Sequence, residues 1–107
     1  MGLLGWLLGM GCENVTPDEV REMKDRSGDI VLVDVRTPEE YAEGRIEGAK
    51  HIPVRELERR SGEIPTDKDV VFYCHSGARS AFACRFMKKL GYTRVKNMSG
   101  GIARWRR

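Results

Sequence analysis

Asp69-Val70-Val71-Phe72-Tyr73-Cys74-His75-Ser76-Gly77-Ala78-Arg79-Ser80 is the stretch on which the fold turns. Its first half, Asp69 to Cys74, is an apolar run without polar alternation, the mark of a strand covered on both faces in a parallel sheet. Its second half is polar and centred on a glycine. Behind it an apolar helix is expected through Leu90, stopped by Gly91. Strand, loop and helix in that order make a βα unit. In open parallel sheets the ligand sits beyond the carboxyl ends of the strands, where such a loop delivers backbone N–H groups and the positive end of a helix.

Working outward, Ile30-Val31-Leu32-Val33-Asp34-Val35 is a second buried strand, read as central. Thr16-Pro17-Asp18-Glu19 places an N-cap, a proline at the first helical position and an acid at N3, so a helix is predicted over about 17–26. The device recurs at Thr37-Pro38-Glu39-Glu40, predicting a short helix through Tyr41 that Gly44 closes. His51-Ile52-Pro53 reads as extended, Val54 to Arg60 as a helix, Thr93 to Met98 as a third strand, and Gly100-Gly101 as the opening of a last segment, Ile102 to Arg107. Strands separated by helical segments give an α/β fold: one domain over 14–107, with a mainly parallel central sheet and helices on both faces.

A chain of 107 residues has room for one core, and 40% hydrophobic with 33% charged residues excludes both disorder and membrane spanning as its general character. The net charge of +3 hides an asymmetry: residues 1–53 carry −5 and residues 54–107 carry +8. The basic half lacks interleaved aromatics, which argues against nucleic acid as partner and leaves a field suited to a small anion or an acidic protein. Cys12, Cys74 and Cys84 are too few and odd in number for a disulfide framework, so a reducing, cytoplasmic setting is expected. No Cys/His cluster has zinc spacing, and His51 and His75 lack neighbouring ligands, so no metal is expected.

Residues 1–13 stand apart as an apolar segment. Met1 to Cys12 carries no charge, is too short to span a bilayer, lacks the positive start of a secretory signal, and has Trp6 where a myristoylation signal wants Ser or Thr. Leu3, Leu4, Leu7 and Leu8 fit one face of a short helix that packs on the domain, a partner or a membrane surface, with lipid modification of Cys12 the lesser reading.

Chemistry points to Cys74. A thiol at the end of a strand, faced by inward amides, the following helix N-terminus and Arg79, gives up its proton readily. Gly77 lets the loop curl inward and Ser80 is suited to cap the helix. Most strand cysteines are inert core, and Cys84, among Phe82, Ala83 and Phe86, reads that way. Cys74 instead meets a polar loop and reads as a nucleophile.

These segments resemble the rhodanese-like domains, specifically the single-domain sulfurtransferases, over about residues 14–107. The resemblance rests on the Thr-Pro-Asp-Glu opening, Leu32-Val33-Asp34-Val35-Arg36, Glu40-Tyr41, the run Gly44 to Pro53, the loop Cys74 to Ser80, and Gly100-Gly101-Ile102 followed by Trp105. It implies that Cys74 takes a sulfane sulfur from a donor such as thiosulfate, holds it as a persulfide and passes it to cyanide, a thiol or a protein. It further implies that His75, Ser76, Gly77, Ala78, Arg79 and Ser80 bind the substrate sulfur, that Arg79 helps to hold an anionic donor, and that Asp34 and Arg36 are a supporting pair beside the site. No metal or organic cofactor is needed, and a monomer is expected. Arg45 and Glu47 replace the His and Pro common in relatives, on a surface loop where partner choice rather than catalysis is affected.

Two rivals share some of these features. Cysteine phosphatases also close a loop between Cys and Arg, but with five intervening residues, whereas His75 to Ala78 make four, a smaller cradle suited to one sulfur atom. A non-catalytic or sulfur-relay interaction module would use the same fold for docking; retention of Cys74 with its full polar loop favours chemistry.

Overall fold

In the computed structural model, which describes residues 11–106, the run Asp69–Tyr73 is the middle strand of a five-stranded parallel sheet. In chain order the strands are β1 (Glu13–Val15), β2 (Ile30–Asp34), β3 (Lys50–His51), β4 (Asp69–Tyr73) and β5 (Val95–Met98), arranged β1-β5-β4-β2-β3. The helices are α1 (Pro17–Ser27), α2 (Pro38–Ala42), α3 (Leu57–Arg60), α4 (Ala78–Lys89) and α5 (Gly101–Trp105).

The unbroken apolar runs have the cause expected of them. On β4, Val70 and Phe72 point with Cys74 into a core closed by α4, through Ala83, Cys84 and Met87, while Val71 and Tyr73 point the other way among Val20, Met98 and Ile102 of the α1 and α5 side. Along β2, Val33 and Leu32 divide between the same two cores. A strand with covered faces needs apolar residues at every position, and both strands supply them. The capping boxes form as predicted: the hydroxyls of Thr16 and Thr37 accept from the amides of Glu19 and Glu40, and each carboxylate accepts from its threonine amide in return.

Three expectations are corrected. The strand β1 was not foreseen; it pairs with β5 from Glu13↔Lys96 to Val15↔Met98, and a three-residue polar-rich strand leaves no periodic signal in the sequence. Val54 to Arg60 is a 3₁₀ turn, Val54–Glu56, followed by the single α-turn α3, because Pro53 before it offers no side chain to cap an α-helical start. Cys84 is buried as predicted, but it is bridged to Cys12 rather than solitary, with 5.7 Å between the Cα atoms. The unforeseen β1 is the reason: it fixes residue 12 at the sheet edge, against the core beneath α4. The helix expected across Leu3 to Leu8 lies outside the described residues. Among those described, no helix is long and apolar enough to cross a membrane.

Candidate active site

Hydrogen-bonded pairing of β4 ends at Tyr73, and Cys74 follows immediately, with the chain turning inward before α4 begins. The Sγ of Cys74 accepts from the Gly77 amide at 3.1 Å, from the Ser80 amide at 3.4 Å and from the Ser80 hydroxyl at 3.4 Å. Burial alone pushes the thiol up, but these donors, with the Ser76 amide, outweigh it, so Cys74 ionises below its ordinary value. The residue is 1% exposed, so a charge placed there depends on these donors and not on water.

Ser80 does not cap α4, correcting the sequence reading. The N-cap is Gly77, in the left-handed region at φ 113°, with no side-chain cap. Ser80 therefore falls in the first turn, where its hydroxyl reaches the Cys74 sulfur and, at 3.2 Å, the Gly77 carbonyl. Helix entry three residues earlier than expected, with Gly77 rather than Ser80 as the cap, puts the hydroxyl over the thiol.

The loop is buttressed from behind by α5. The amides of Ile102 and Ala103 donate to the carbonyls of Cys74 and His75 at 2.9 and 3.2 Å. Gly101 stands between them at φ 61°, and a Cβ there would collide with the Cys74 and His75 carbonyls. The Cys74 and His75 carbonyls are thus turned to the rear, while the Gly77 and Ser80 amides face the sulfur.

Arg79 closes the loop, and Nη1 and Nη2 donate to the two carboxylate oxygens of Glu40 at 2.7 and 2.9 Å. The N3 acid of the α2 capping box thereby also pins the wall of the cradle. On the far side of β4, Asp34 and Arg36 form a buried ion pair at 2.8 Å, and Arg36 continues to the Gly44 carbonyl at 2.6 Å. The Tyr73 hydroxyl accepts from the Ile46 amide at 3.1 Å, anchoring the same surface loop to the residue next to Cys74.

The family profile described as the Rhodanese-like domain matches residues 16–107. The chain belongs to the rhodanese-like domain family. It is 51% identical over 79 residues to a sulfurtransferase of Allochromatium vinosum, covering 74% of each chain. It is 37% identical to the human thiosulfate:glutathione sulfurtransferase, covering 89% of this chain and 94% of that one. The fold superposes on a human single-domain sulfurtransferase structure with a TM-score of 0.78 at 33% identity, over 89% and 96% of the two chains. Some other curated relatives are longer, and the chain spans 59%, 49% and 24% of the length of three of them.

In this rhodanese-like domain the loop residues named from sequence converge, but not all through their side chains. Gly77 and Ser80 touch the sulfur directly; His75 serves by its carbonyl; the side chains of His75, Ser76 and Ala78 face solvent. Asp34 and Arg36 brace the 44–46 loop and do not touch Cys74. Sequence reasoning missed Glu40 as the partner of Arg79 and Gly101 to Ala103 as the buttress. Glu40 was visible only as a capping acid, and a capping acid has a second oxygen to spare.

Proposed function

We propose that the protein is a sulfurtransferase that carries a sulfane sulfur on Cys74 from an anionic donor of the thiosulfate class to a thiophilic acceptor. The observation that carries this reading is the convergence of the Gly77 amide, Ser80 amide and Ser80 hydroxyl on one buried sulfur whose ionisation they favour. The Cys74 thiolate attacks the outer sulfur of thiosulfate; an S–S bond forms on Sγ, the S–S bond of the donor breaks, and sulfite leaves with the electron pair. A persulfide bears its charge on the outer sulfur, and amides turned into the loop around Cys74 favour a negative charge there. An acceptor nucleophile then attacks that outer sulfur and Cys74 departs as the thiolate. No external oxidant or reductant enters. The relative named as a thiosulfate:glutathione sulfurtransferase supports this class of donor and acceptor.

The test is the intact mass after incubation with thiosulfate and then cyanide, with Cys74→Ser alongside. The expected result is one added sulfur on Cys74, removed by cyanide with release of thiocyanate, and none on Cys74→Ser. A wild-type protein that acquires no sulfur from thiosulfate, polysulfide or a persulfide donor overturns the proposal.

A further inference from the structure

Among the described residues, the large hydrophobic side chains left exposed are Phe82, at 53%, and Leu90, at 51%, and both lie on α4 or its C-cap. With Phe86 between them they recur every fourth residue, so they form one ridge along the helix, and the Phe82 and Phe86 rings stack at 6.5 Å. The opposite side of α4, with Ser80, Ala83, Cys84 and Met87, is buried against the sheet. A groove of about 140 Å³ between the ridge and the turns of Val54 to Arg60 is lined by Val54, Leu57, Phe82 and Phe86, with Arg55 and Glu58 offsetting each other in charge at its rim.

The charges of the helix itself are all of one sign, because α4 contains no acid. Arg79, in its first turn, is neutralised by Glu40, and Lys96 on the neighbouring β5 by Glu13. Arg85 and Lys89 are exposed, four residues apart in the row beside the ridge, with Lys88 beyond them, and among the described residues none of the three forms a salt bridge. The Cys12–Cys84 bridge brings a second apolar element to the same helix. It fastens residue 12 at the position next to Arg85 and one turn before Lys88, with 5.7 Å between the bridged Cα atoms. Residues 1–11, which lead into that bridge, hold no charged side chain and include Leu3, Leu4, Trp6, Leu7 and Leu8.

We infer that the outward face of α4, with the apolar stretch fastened beside it, is a docking surface for an anionic lipid bilayer. The chemistry is that of an interfacial helix: Phe82, Phe86 and Leu90 enter the boundary between headgroups and acyl chains, and Arg85, Lys88 and Lys89 meet the lipid phosphates. An acidic protein would answer the same charges, but nothing in it calls for an uncharged, leucine-rich stretch at the edge of the contact. A bilayer takes both, since an apolar insertion together with a basic patch is the pairing that holds a protein at a lipid surface. The contact is independent of the sulfur chemistry and, being partly ionic, is sensitive to salt.

Co-sedimentation of the whole oxidised chain with vesicles tests the inference, using an equimolar mixture of phosphatidylcholine and phosphatidylglycerol against phosphatidylcholine alone. The protein should bind the mixed vesicles about tenfold more tightly or better, and lose that advantage as salt is raised. Arg85→Gln combined with Lys89→Gln should weaken binding to the mixed vesicles about twenty-fivefold, or about fivefold for each charge removed. Phe82→Ser and Leu7→Ser should each weaken it about tenfold through lost apolar burial. Lys24→Gln combined with Arg26→Gln removes the same charge from α1, on the other face of the sheet, and should stay within about threefold of wild type. If the mixed vesicles leave the wild type in solution, the inference is overturned and the face is left to an acidic protein. Equal weakening by the α1 and α4 pairs also overturns it, because net charge alone would then explain the binding. Sedimentation equilibrium without lipid covers the remaining occupant: a dimer that Phe82→Ser dissociates assigns the ridge to a second copy of the chain and overturns the bilayer.

Discussion

Both terminal nitrogens of Arg79 rest on the carboxylate of Glu40, although 39 residues separate them in sequence. The fork geometry locks the guanidinium in one plane and ties the Cys74 loop to the helix that follows β2. The cradle's cation is therefore a fixed wall rather than a free anchor, and its charge is already neutralised by Glu40.

The pair should be visible in acid. Hydrogen bonds from Arg79 are the main reason the Glu40 carboxyl falls from 4.5 to about 2, against an opposing push from burial. A carboxyl depressed in the folded state stabilises the fold above its unfolded value, and that contribution is lost as pH falls from about 4.5 toward about 2. Both side chains are about a third exposed, so screening limits the pair to about 1 kcal/mol at neutral pH. Urea unfolding of Glu40→Gln should show that deficit at neutral pH and a shrinking one near the acid limb; a deficit independent of pH would assign the loss to the helix cap alone.

Ser80→Ala removes a side-chain donor from the Cys74 sulfur and keeps the helix. The hydroxyl favours the thiolate, so its loss should move the pH profile of sulfur loading to higher pH. A hydrogen bond to a charged acceptor is worth about 1.5 kcal/mol, which corresponds to a roughly tenfold slower loading near neutrality. An unchanged profile would mean that the hydroxyl serves the Gly77 carbonyl only.

Asp34 and Arg36 are 0% and 4% exposed in their side chains, so neither charge can turn to water when the other is removed. Arg36→Leu should cost about 3–5 kcal/mol in chemical denaturation. Adding Asp34→Asn should recover part of that loss, because the orphaned charge goes with it. A double variant as unstable as the single one would shift the blame to the lost Gly44 contact.

The Cys12–Cys84 bridge closes a loop with a sequence separation of 72. In the chain-entropy account such a closure is worth about 4 kcal/mol. Peptide mapping of the oxidised protein should recover residues 12 and 84 in one linked species, and Cys12→Ser should match the stability of reduced wild type. Equal stability of the oxidised and reduced proteins would show that the edge strand holds without it.

The sheet and the place of Cys74 at the end of its middle strand were legible because they depend on local pattern: Val70 to Tyr73 must be apolar on both faces, and Thr37-Pro38-Glu39-Glu40 writes its own helix start. Relationships across the sheet were not. Nothing near Glu40 announces Arg79, nothing near Cys12 announces Cys84, and Gly101 reads as a helix opening until the Cys74 and His75 carbonyls are seen behind it. Ser80 misled because a serine near a helix start has a common use as a cap, and here Gly77 had already begun the helix.

The dependence of the Cys74 loop on Ile102 and Ala103 also sets an order of assembly. Synthesis proceeds from the amino terminus, so a nascent chain that has emerged only as far as Leu90 holds the cysteine, Gly77 and Ser80 without the amides that turn the loop carbonyls away. The cradle around Cys74 is completed only when residues 101–103 leave the ribosome and dock, so a half-made chain carries the loop's sequence without the backing that fixes its shape.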